Sequence, residues 1–251
     1  MVTVIVANYN QLSTLPLVLR SFACQTQLPE RVIVADDGSC DGSSEWVDAL
    51  PDDAYPFELR YTTGRHNLYG LTVSENRAAR QVPNGRLLFT NADVVHAPDS
   101  VHAHSTMVQN EITGGRVNEI RFPESQRVTE GAIDDFLGFM DEFGSKLSDL
   151  SNHEYVIRDV TRNIYGIWGG NFSIDVSRFL AIGGFNEEYQ GLYGAEEADL
   201  IKRFQKAGGG VNWVYNSTAY HLGHQPKPYR AKAMGNVKFR AEMNEDSYPT
   251  S

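Results

Sequence analysis

One carboxylate, Asp93, follows an apolar run and could serve as a metal ligand. The run at 87–89 (Leu-Leu-Phe) suits a strand buried on both faces, and it ends in the polar residues 90–93. Ligands bind at the carboxyl ends of strands in an open parallel sheet, which is where Asp93 would lie. A carboxylate in that position can hold Mg²⁺ or Mn²⁺. Alternatively, Asp93 is only a turn residue at a strand end.

Other polar residues follow the first two apolar runs, and a pair of acids opens a later helical pattern. The run at 2–7 (VTVIVA) ends at Asn8-Tyr9-Asn10, and the run at 32–35 ends at Asp36-Asp37-Gly38-Ser39. Glu196 and Glu197 follow a Gly-Leu-Tyr-Gly turn. A carboxylate can act as a general base, but acids at a helix start are also favoured by the helix dipole alone. The Asp-Asp-Gly-Ser segment could likewise be a plain turn that caps a helix.

The elements that must position these residues alternate along the first half of the chain. Apolar runs predict strands at 2–7, 32–35, 57–62 and 87–89, and periodic patterns predict helices at 12–26, 45–50, 71–82 and 98–108. Alternating strands and helices indicate βαβ units and a parallel sheet. The sequence therefore predicts an α/β fold.

The second half has a less regular pattern. Strands are predicted at 118–122, 155–160, 211–215 and 218–221, and helical segments at 131–150, 175–181 and 195–207. The segment at 167–174 is apolar with a Gly pair at its centre. We expect one domain with a first half at 1–110, a second half at 111–225 and a polar lid or flexible tail at 226–251.

Composition excludes several classes of protein. The chain has 251 residues, 41% hydrophobic and 22% charged, with a formal net charge of −10, which argues against nonspecific nucleic-acid binding. Cys24 and Cys40 do not suggest a disulfide framework. The sequence shows neither a signal-peptide core nor an apolar stretch of the roughly 20 residues that a membrane span needs. We expect a cytoplasmic protein without a transmembrane segment, able to work beside a membrane through a partner.

The order and spacing of the motifs resemble an inverting glycosyltransferase of family 2. The segments VIVANYN and ERVIVADDGSCDGS carry the resemblance in the first 44 residues. The segments GGNFSIDVSRFLAIGGF and YGAEEADLIKRFQKAG are similar to bacterial chondroitin-polymerase-type domains and to β-1,4-galactosyltransferases. Residues 110–165 match poorly. The resemblance implies the GT-A fold, a mixed, mostly parallel sheet flanked by helices, in a single domain.

The resemblance also implies a nucleotide site. Tyr9 would lie against a uracil ring, and Asp37 would accept its N3–H. Asn91-Ala92-Asp93 occupies the place of the family's DxD motif, with Asn replacing the first acid. The residues implied to contact the nucleotide are Ala7, Asn8, Tyr9, Asp37, Asn67, Asn91 and Ala92.

Two histidines complete the implied metal site. In β-1,4-galactosyltransferases a Met and a His three residues apart bind Mn²⁺, and His221 and His224 match that spacing. Imidazole suits Mn²⁺ better than Mg²⁺. The resemblance therefore implies Mn²⁺ or Mg²⁺ held by Asp93, His221 and His224. One of these histidines could instead be a buried strand residue.

Further positions carry catalytic and acceptor roles by resemblance. Glu197 occupies the place of the catalytic base, and Glu196 would bind acceptor hydroxyls. The residues implied to line the sugar and acceptor pocket are Trp168, Gly169, Gly170 and Tyr193, although Trp168 could equally be a core residue. Many members carry Arg where this chain has Glu75; either Arg77 compensates, or the metal alone offsets the pyrophosphate charge.

The motifs bear on three candidate functions. The leading one is metal-dependent, inverting transfer of a hexose or N-acetylhexosamine from a UDP-sugar to a glycan or glycoconjugate hydroxyl, as in polysaccharide synthesis. The second is a noncatalytic module that binds sugar or nucleotide on the same fold. The third, a sugar nucleotidyltransferase, requires a Gly-rich basic loop after the first strand, and residues 8–11 (Asn-Tyr-Asn-Gln) do not supply it.

Overall fold

The computed structural model describes residues 1–66, 68–144, 147–149, 167–224 and 238, with only the backbone considered at 147–149. Its strands are β1 Val2–Asn8, β2 Arg31–Asp36, β3 Glu58–Thr62, β4 Arg86–Asn91, β5 Val94–His96, β6 Glu111–Ile120, β7 Leu147–Asp149, β8 Phe172–Asp175 and β9 Gly210–Leu222. Its α-helices are α1 Leu15–Ala23, α2 Ser43–Asp48, α3 Leu71–Ala79, α4 Ser100–Ser105, α5 Glu130–Asp134, α6 Phe136–Phe143, α7 Val176–Ala181 and α8 Glu196–Lys206. The predicted strand at 155–160, the predicted contact at Asn67 and the predicted tail at 226–251, apart from residue 238, lie outside the described residues.

The four strands of the predicted parallel sheet are neighbours in the order β3-β2-β1-β4. Ile5 of β1 pairs in parallel with Ile33 of β2 and with Phe89 of β4. β1, β2 and β4 are buried on both faces because helices cover each side of the sheet, whereas the edge strand β3 is partly exposed. Alternate β1 residues pack with α1 on one face and with α3, α7 and α8 on the other. The α/β prediction for the first half is confirmed.

Beyond β4 the sheet continues through β8, β6, β9 and β5, with β7 paired to β6. β8 is antiparallel to both β4 and β6, β6 is parallel to β9, and β5 is antiparallel to β9. The sheet is therefore mixed, as predicted. All of its described strands form one sheet, so the two predicted halves share it.

Several predicted boundaries in the second half are wrong. The strand predicted at 118–122 begins at Glu111, and the helix predicted at 131–150 is two short helices followed by β7. The two strands predicted at 211–215 and 218–221 are the single strand β9. Polar residues at 215–217 interrupt the apolar pattern, but the pairing with β6 absorbs them through a register shift after Gly115. Such pairing joins distant segments and leaves no local periodicity.

The segment after Asp93 also differs from the prediction. The helix predicted at 98–108 is the shorter α4, and the three residues of β5 precede it. β5 exists because it pairs with β9, with Val94 opposite His221. This pairing also fixes the position of Asp93, the residue that directly precedes β5. Among the helices of the described ranges, none has the length and apolar character needed to cross a membrane.

Candidate active site

The ends of three parallel strands form the floor of one cleft. Asn8 at the end of β1 pairs with Asp36 of β2, and Ala7 pairs with Asn91 of β4. The backbone N–H of Ala92 donates to the carbonyl of Ala7 at 2.9 Å. Residues that follow these strands therefore lie side by side, as the sequence predicted from the parallel sheet.

Asp93 and the two histidines meet at one side of this floor. Asp93 Oδ2 lies 3.5 Å from His221 Nε2 and 3.8 Å from His224 Nε2. The carboxylate oxygen and the imidazole nitrogens that the three residues offer all lie within 4.8 Å of one another. Because β5 pairs with β9, the backbone N–H of Leu222 also donates to the Asp93 carbonyl at 2.7 Å. The structure thus brings together the three residues that the resemblance implied as metal ligands.

The surroundings of these side chains are suited to a cation. His221 is 6% exposed, and its Nδ1 has no hydrogen-bond partner in the described part of the chain, with Glu119 Oε1 the nearby acid at 3.7 Å. Gln11 donates to Asp93 Oδ2 at 3.0 Å and so fixes that carboxylate. One carboxylate and two imidazoles form a donor set that fits Mn²⁺. The residues present are therefore compatible with the Mn²⁺ that the resemblance implied.

Asp37 and Tyr9 lie at the opposite side of the floor. Asp37 Oδ2 accepts from the backbone N–H of Gly70 at 2.9 Å. Burial raises the pKa of Asp37, although hydrogen bonds from Gly70 and His66 oppose that rise. A Cβ at Gly70 would lie 2.1 Å from Asp37 Oδ1, so the close approach requires glycine there. The carboxylate is therefore a fixed hydrogen-bond acceptor at the end of β2.

His66 was missed by the sequence analysis. Its ring stacks on Tyr9 with a centroid distance of 4.1 Å and an interplanar angle of 13°. Its Nδ1 lies 3.0 Å from Asp37 Oδ2. The available signal was its position in the loop at 64–70, one residue before Asn67, which the resemblance implied as a nucleotide contact.

Asn8 and Asp36 support the turn that carries Asp37. Asn8 Nδ2 donates to Asp36 Oδ1 at 2.8 Å, and the Ser39 and Thr63 hydroxyls also donate to this carboxylate. Burial raises the pKa of Asp36, but these hydrogen bonds outweigh it and leave the pKa below its ordinary value. The amide nitrogen of Asn8 thus holds the turn, while its Oδ1 has no hydrogen-bond partner among the described residues.

Glu196 and Glu197 begin α8 directly after Ala195, whose φ is 69°. The Tyr69 hydroxyl donates to Glu196 Oε1 at 2.7 Å, while Glu196 Oε2 has no partner among the described residues. Tyr69 also contacts Tyr193 edge to face. Burial raises the pKa of Glu196, and burial together with the Glu196 charge raises the pKa of Glu197 to about 8. A carboxyl with a pKa near neutrality can accept a proton during a reaction.

The Trp168–Gly170 segment joins the metal side of the cleft to the acid pair. The Trp168 ring lies edge to face against His221, with centroids 5.3 Å apart. A Cβ at Gly169 would lie 2.3 Å from Glu197 Oε1, which shows how closely the carboxylate approaches this backbone. The Thr90 hydroxyl fixes the segment by donating to the Gly170 carbonyl at 2.9 Å. The segment therefore sets Glu197 relative to the metal ligands.

Glu75 is a buried acid close enough to the acid pair to be affected by its charge. It is 2% exposed, and its Oε2 has no hydrogen-bond partner among the described residues. Burial raises the pKa of Glu75 well above its ordinary value, and the charges of Glu197 and Glu196 add to the rise. Arg77 instead donates to the Asp36 carbonyl at 3.3 Å and packs against Gly64. Arg77 is thus engaged in holding the loop at 64–66 against β2.

Two family models match the chain. Residues 3–117 match the model described as Glycosyl transferase family 2, and this range includes Tyr9, Asp37 and Asp93. Residues 158–225 match the model described as N-terminal domain of galactosyltransferase, and this range includes Glu197, His221 and His224. Each match therefore contains one half of the cleft described above.

A curated relative extends over both halves. It is validoxylamine A glucosyltransferase of Streptomyces hygroscopicus subsp. limoneus, 23% identical over 228 residues. The alignment covers 83% of this chain and 48% of the relative, so the chain spans about half the length of the curated relative it matches.

Solved structures show the same fold. The chain superimposes on GalNAc-T7 with UDP, GalNAc and Mn²⁺ with a TM-score of 0.65, at 14% identity, covering 88% of this chain and 43% of the other. For S. aureus TarS 1–349 in complex with UDP-GlcNAc the TM-score is 0.64, at 15% identity, with coverage of 92% and 60%. For the mannosyltransferase PcManGT of Pyrobaculum calidifontis with GDP-Man and Mn²⁺ it is 0.57, at 19% identity, with coverage of 92% and 59%.

Proposed function

The chain belongs to glycosyltransferase family 2 and has the GT-A fold, and on that premise we propose that it is a metal-dependent, inverting glycosyltransferase. It would transfer a hexose or N-acetylhexosamine from a UDP-sugar to a hydroxyl of a glycan or glycoconjugate. The observation that carries this proposal is the placement of Trp168–Gly169. These residues connect His221, in the candidate metal site, with Glu197, in the acid pair.

The donor would lie along the floor formed by the strand ends. Asp37 would accept an N–H of the base, and Tyr9 would stack on the base. Asp93, His221 and His224 would hold the divalent cation. When bound, this cation supplies Lewis-acid stabilisation of the negative charge on the departing diphosphate. We assign donor binding to the half at 1–110 and acceptor binding to the half at 111–225.

Glu197 would act as the general base. Its carboxylate would remove the proton from an acceptor hydroxyl while that oxygen attacks the anomeric carbon and the bond to the diphosphate breaks. Attack from the face opposite the leaving group inverts the anomeric configuration. The raised pKa of Glu197 supports this role, because a base whose pKa lies near the working pH accepts a proton efficiently.

Glu196 would orient the acceptor. Its Oε1 already accepts from the Tyr69 hydroxyl, while Oε2 lacks a partner in the described part of the chain and could accept from an acceptor hydroxyl. Trp168 and Tyr193 would provide aromatic faces for the sugar rings. These placements support different roles for the two adjacent acids.

The decisive experiment measures UDP release and glycan product across panels of UDP-sugars and acceptors, with Mn²⁺ and with chelator. We expect transfer that requires the cation. We also expect Glu197→Gln to reduce turnover by about 10²–10⁴-fold while UDP affinity is retained, because an amide keeps the size but cannot take a proton. Wild-type binding of UDP and Mn²⁺ without any transfer across both panels would instead support the noncatalytic module.

A further inference from the structure

His66 makes the two contacts that the proposed function assigns to a nucleotide base. Its ring lies parallel to Tyr9 with centroids 4.1 Å apart, which is the spacing of a stacked aromatic pair. Its Nδ1 lies 3.0 Å from Asp37 Oδ2. A base stacked on the same face of Tyr9 would have to enter the space that the imidazole fills.

The tautomer of His66 strengthens the comparison with a base. Nδ1 is 3.0 Å from the Asp37 backbone carbonyl as well as from the Asp37 carboxylate. A backbone carbonyl only accepts hydrogen bonds, so Nδ1 carries the proton and donates. His66 thus presents a flat ring with an N–H on its edge to Asp37. Uracil presents the same feature through N3–H, and guanine through N1–H.

The side chain of His66 can leave this position without displacing its backbone. A Cβ at Gly38 would lie 2.5 Å from the His66 backbone nitrogen and 2.7 Å from the Gly64 carbonyl, so the loop backbone packs closely on the turn after β2. The His66 side chain, in contrast, is 34% exposed. Rotation of its side chain towards solvent would uncover both the Tyr9 ring and Asp37.

We propose that His66 is an affinity-determining residue that occupies the base subsite and must be displaced by the donor nucleotide. This inference rests on the proposed function, because it takes Tyr9 and Asp37 as the base subsite. Only molecules in which the imidazole has left can bind the base. The apparent affinity is therefore the intrinsic affinity multiplied by the fraction of such molecules. Selectivity remains with Asp37, whose acceptor oxygen favours bases with an edge N–H over cytosine and adenine, which present a bare ring nitrogen there.

The test compares UDP, CDP and inorganic diphosphate, each with Mn²⁺, by calorimetry on wild type and His66→Ala. If the open form is a minor state of about 10%, His66→Ala should tighten UDP binding about tenfold. Inorganic diphosphate should bind both proteins equally, since it lacks a base. CDP should remain weaker than UDP in both proteins, because Asp37 is intact.

A matched control and a second variant complete the test. His102→Ala removes another histidine, one whose Nδ1 contacts Gln27 outside the cleft, and should leave all three affinities unchanged. His66→Gln keeps an N–H donor but loses the ring, and should give an intermediate UDP affinity. In NMR spectra of the wild type, the chemical shifts of the His66 imidazole should change when UDP is added and stay the same when inorganic diphosphate is added.

The outcomes separate this inference from the proposed function. If the wild type binds UDP and His66→Ala binds it equally or more weakly, the role of His66 is overturned. The glycosyltransferase proposal then still stands. UDP binding by neither wild type nor His66→Ala overturns both, since no base subsite then exists. Tighter UDP binding by His66→Ala, with no change for inorganic diphosphate, supports the inference.

Discussion

At the scale of single residues, the acid pair shows how neighbours assign different chemistry to the same side chain. Glu196 is 3% exposed and accepts from the Tyr69 hydroxyl. Glu197 contacts the Gly169 backbone, and the neighbouring charge adds to the burial that raises its pKa. Hydrogen bonds oppose the rise for both carboxyls, from the Tyr69 hydroxyl for Glu196 and from the Gly169 backbone for Glu197, but the charge of the neighbouring acid raises only the pKa of Glu197. The two carboxyls are therefore expected to ionise at different pH.

This difference predicts the pH dependence of transfer. A general base is active when deprotonated, so kcat/KM should rise tenfold per pH unit below the pKa of Glu197 and level off above about 8. An ordinary glutamate, with a pKa of about 4.3, would give a flat profile from about pH 5.5. The measurement is kcat/KM from pH 5.5 to 9 with the cation saturating at every pH.

Glu196→Gln provides the control for that profile. It removes the charge that contributes to the raised pKa of Glu197, so the rise of kcat/KM should shift to lower pH. A profile that is flat over the whole range would contradict the assignment of Glu197 as a base with a raised pKa. If the midpoint of the pH profile were unchanged in Glu196→Gln, burial alone would be the cause of the raised pKa of Glu197.

At the scale of elements, the segment between Ile167 and β8 positions the base. Asn171 anchors its end: the amide donates to the Arg116 carbonyl, and its Oδ1 lies 2.9 Å from His104 Nε2. Together with the bond from Thr90 to Gly170, these contacts hold the Gly169 backbone against the first turn of α8. The segment is thus rigid at the place where Glu197 needs a fixed position.

Gly169→Ala tests this element. The added Cβ would lie 2.3 Å from Glu197 Oε1, so the carboxylate must move. A displacement of about 1 Å can cost 10²-fold in rate, and we expect a fall in kcat of about that size with little change in UDP affinity. Gly131→Ala is the matched control, because its Cβ would meet nothing closer than 3.9 Å. Wild-type kcat in Gly169→Ala would contradict the positioning role.

At the scale of the whole molecule, the candidate metal site links distant parts of the sheet. Asp93 lies between β4 and β5, while His221 belongs to β9 and His224 follows it. A cation held by all three would bind the folded chain and not the unfolded one. Any such ligand stabilises the fold in proportion to its occupancy.

Mn²⁺ should therefore raise the melting temperature. At a concentration 100 times its dissociation constant, the gain is about 2.7 kcal/mol, and for a chain of this size each kcal/mol shifts the melting temperature by about 2–4 °C. We expect a rise of about 5–10 °C by calorimetry, abolished in Asp93→Asn and in EDTA. His102→Ala should keep the full rise. An equal rise in Asp93→Asn would place the cation elsewhere.

The sequence by itself determined the parallel half of the fold and most of the candidate site. β-Branched and apolar runs identified the strands from 2 to 89, because burial on both faces leaves a local hydrophobic signal. The polar residues that end those strands then had to share one edge, which placed Asp37 and Asp93 together at the cleft. The resemblance added Glu197 and the two histidines, which the structure locates around the same cleft.

Only the tertiary structure decided the features that depend on contacts between distant segments. β5 and the continuous β9 arise from strand pairing, and pairing between remote segments has no local periodicity. The burial of Glu75 follows from helix packing on the sheet. A charged residue type in the sequence does not predict such burial. The stacking of His66 on Tyr9 depends on the loop at 64–66, whose backbone packs so closely on Gly38 that a Cβ there would lie 2.5 Å from the His66 nitrogen. Sequence patterns specify which side chains are available, whereas their mutual distances are set by how the backbone packs.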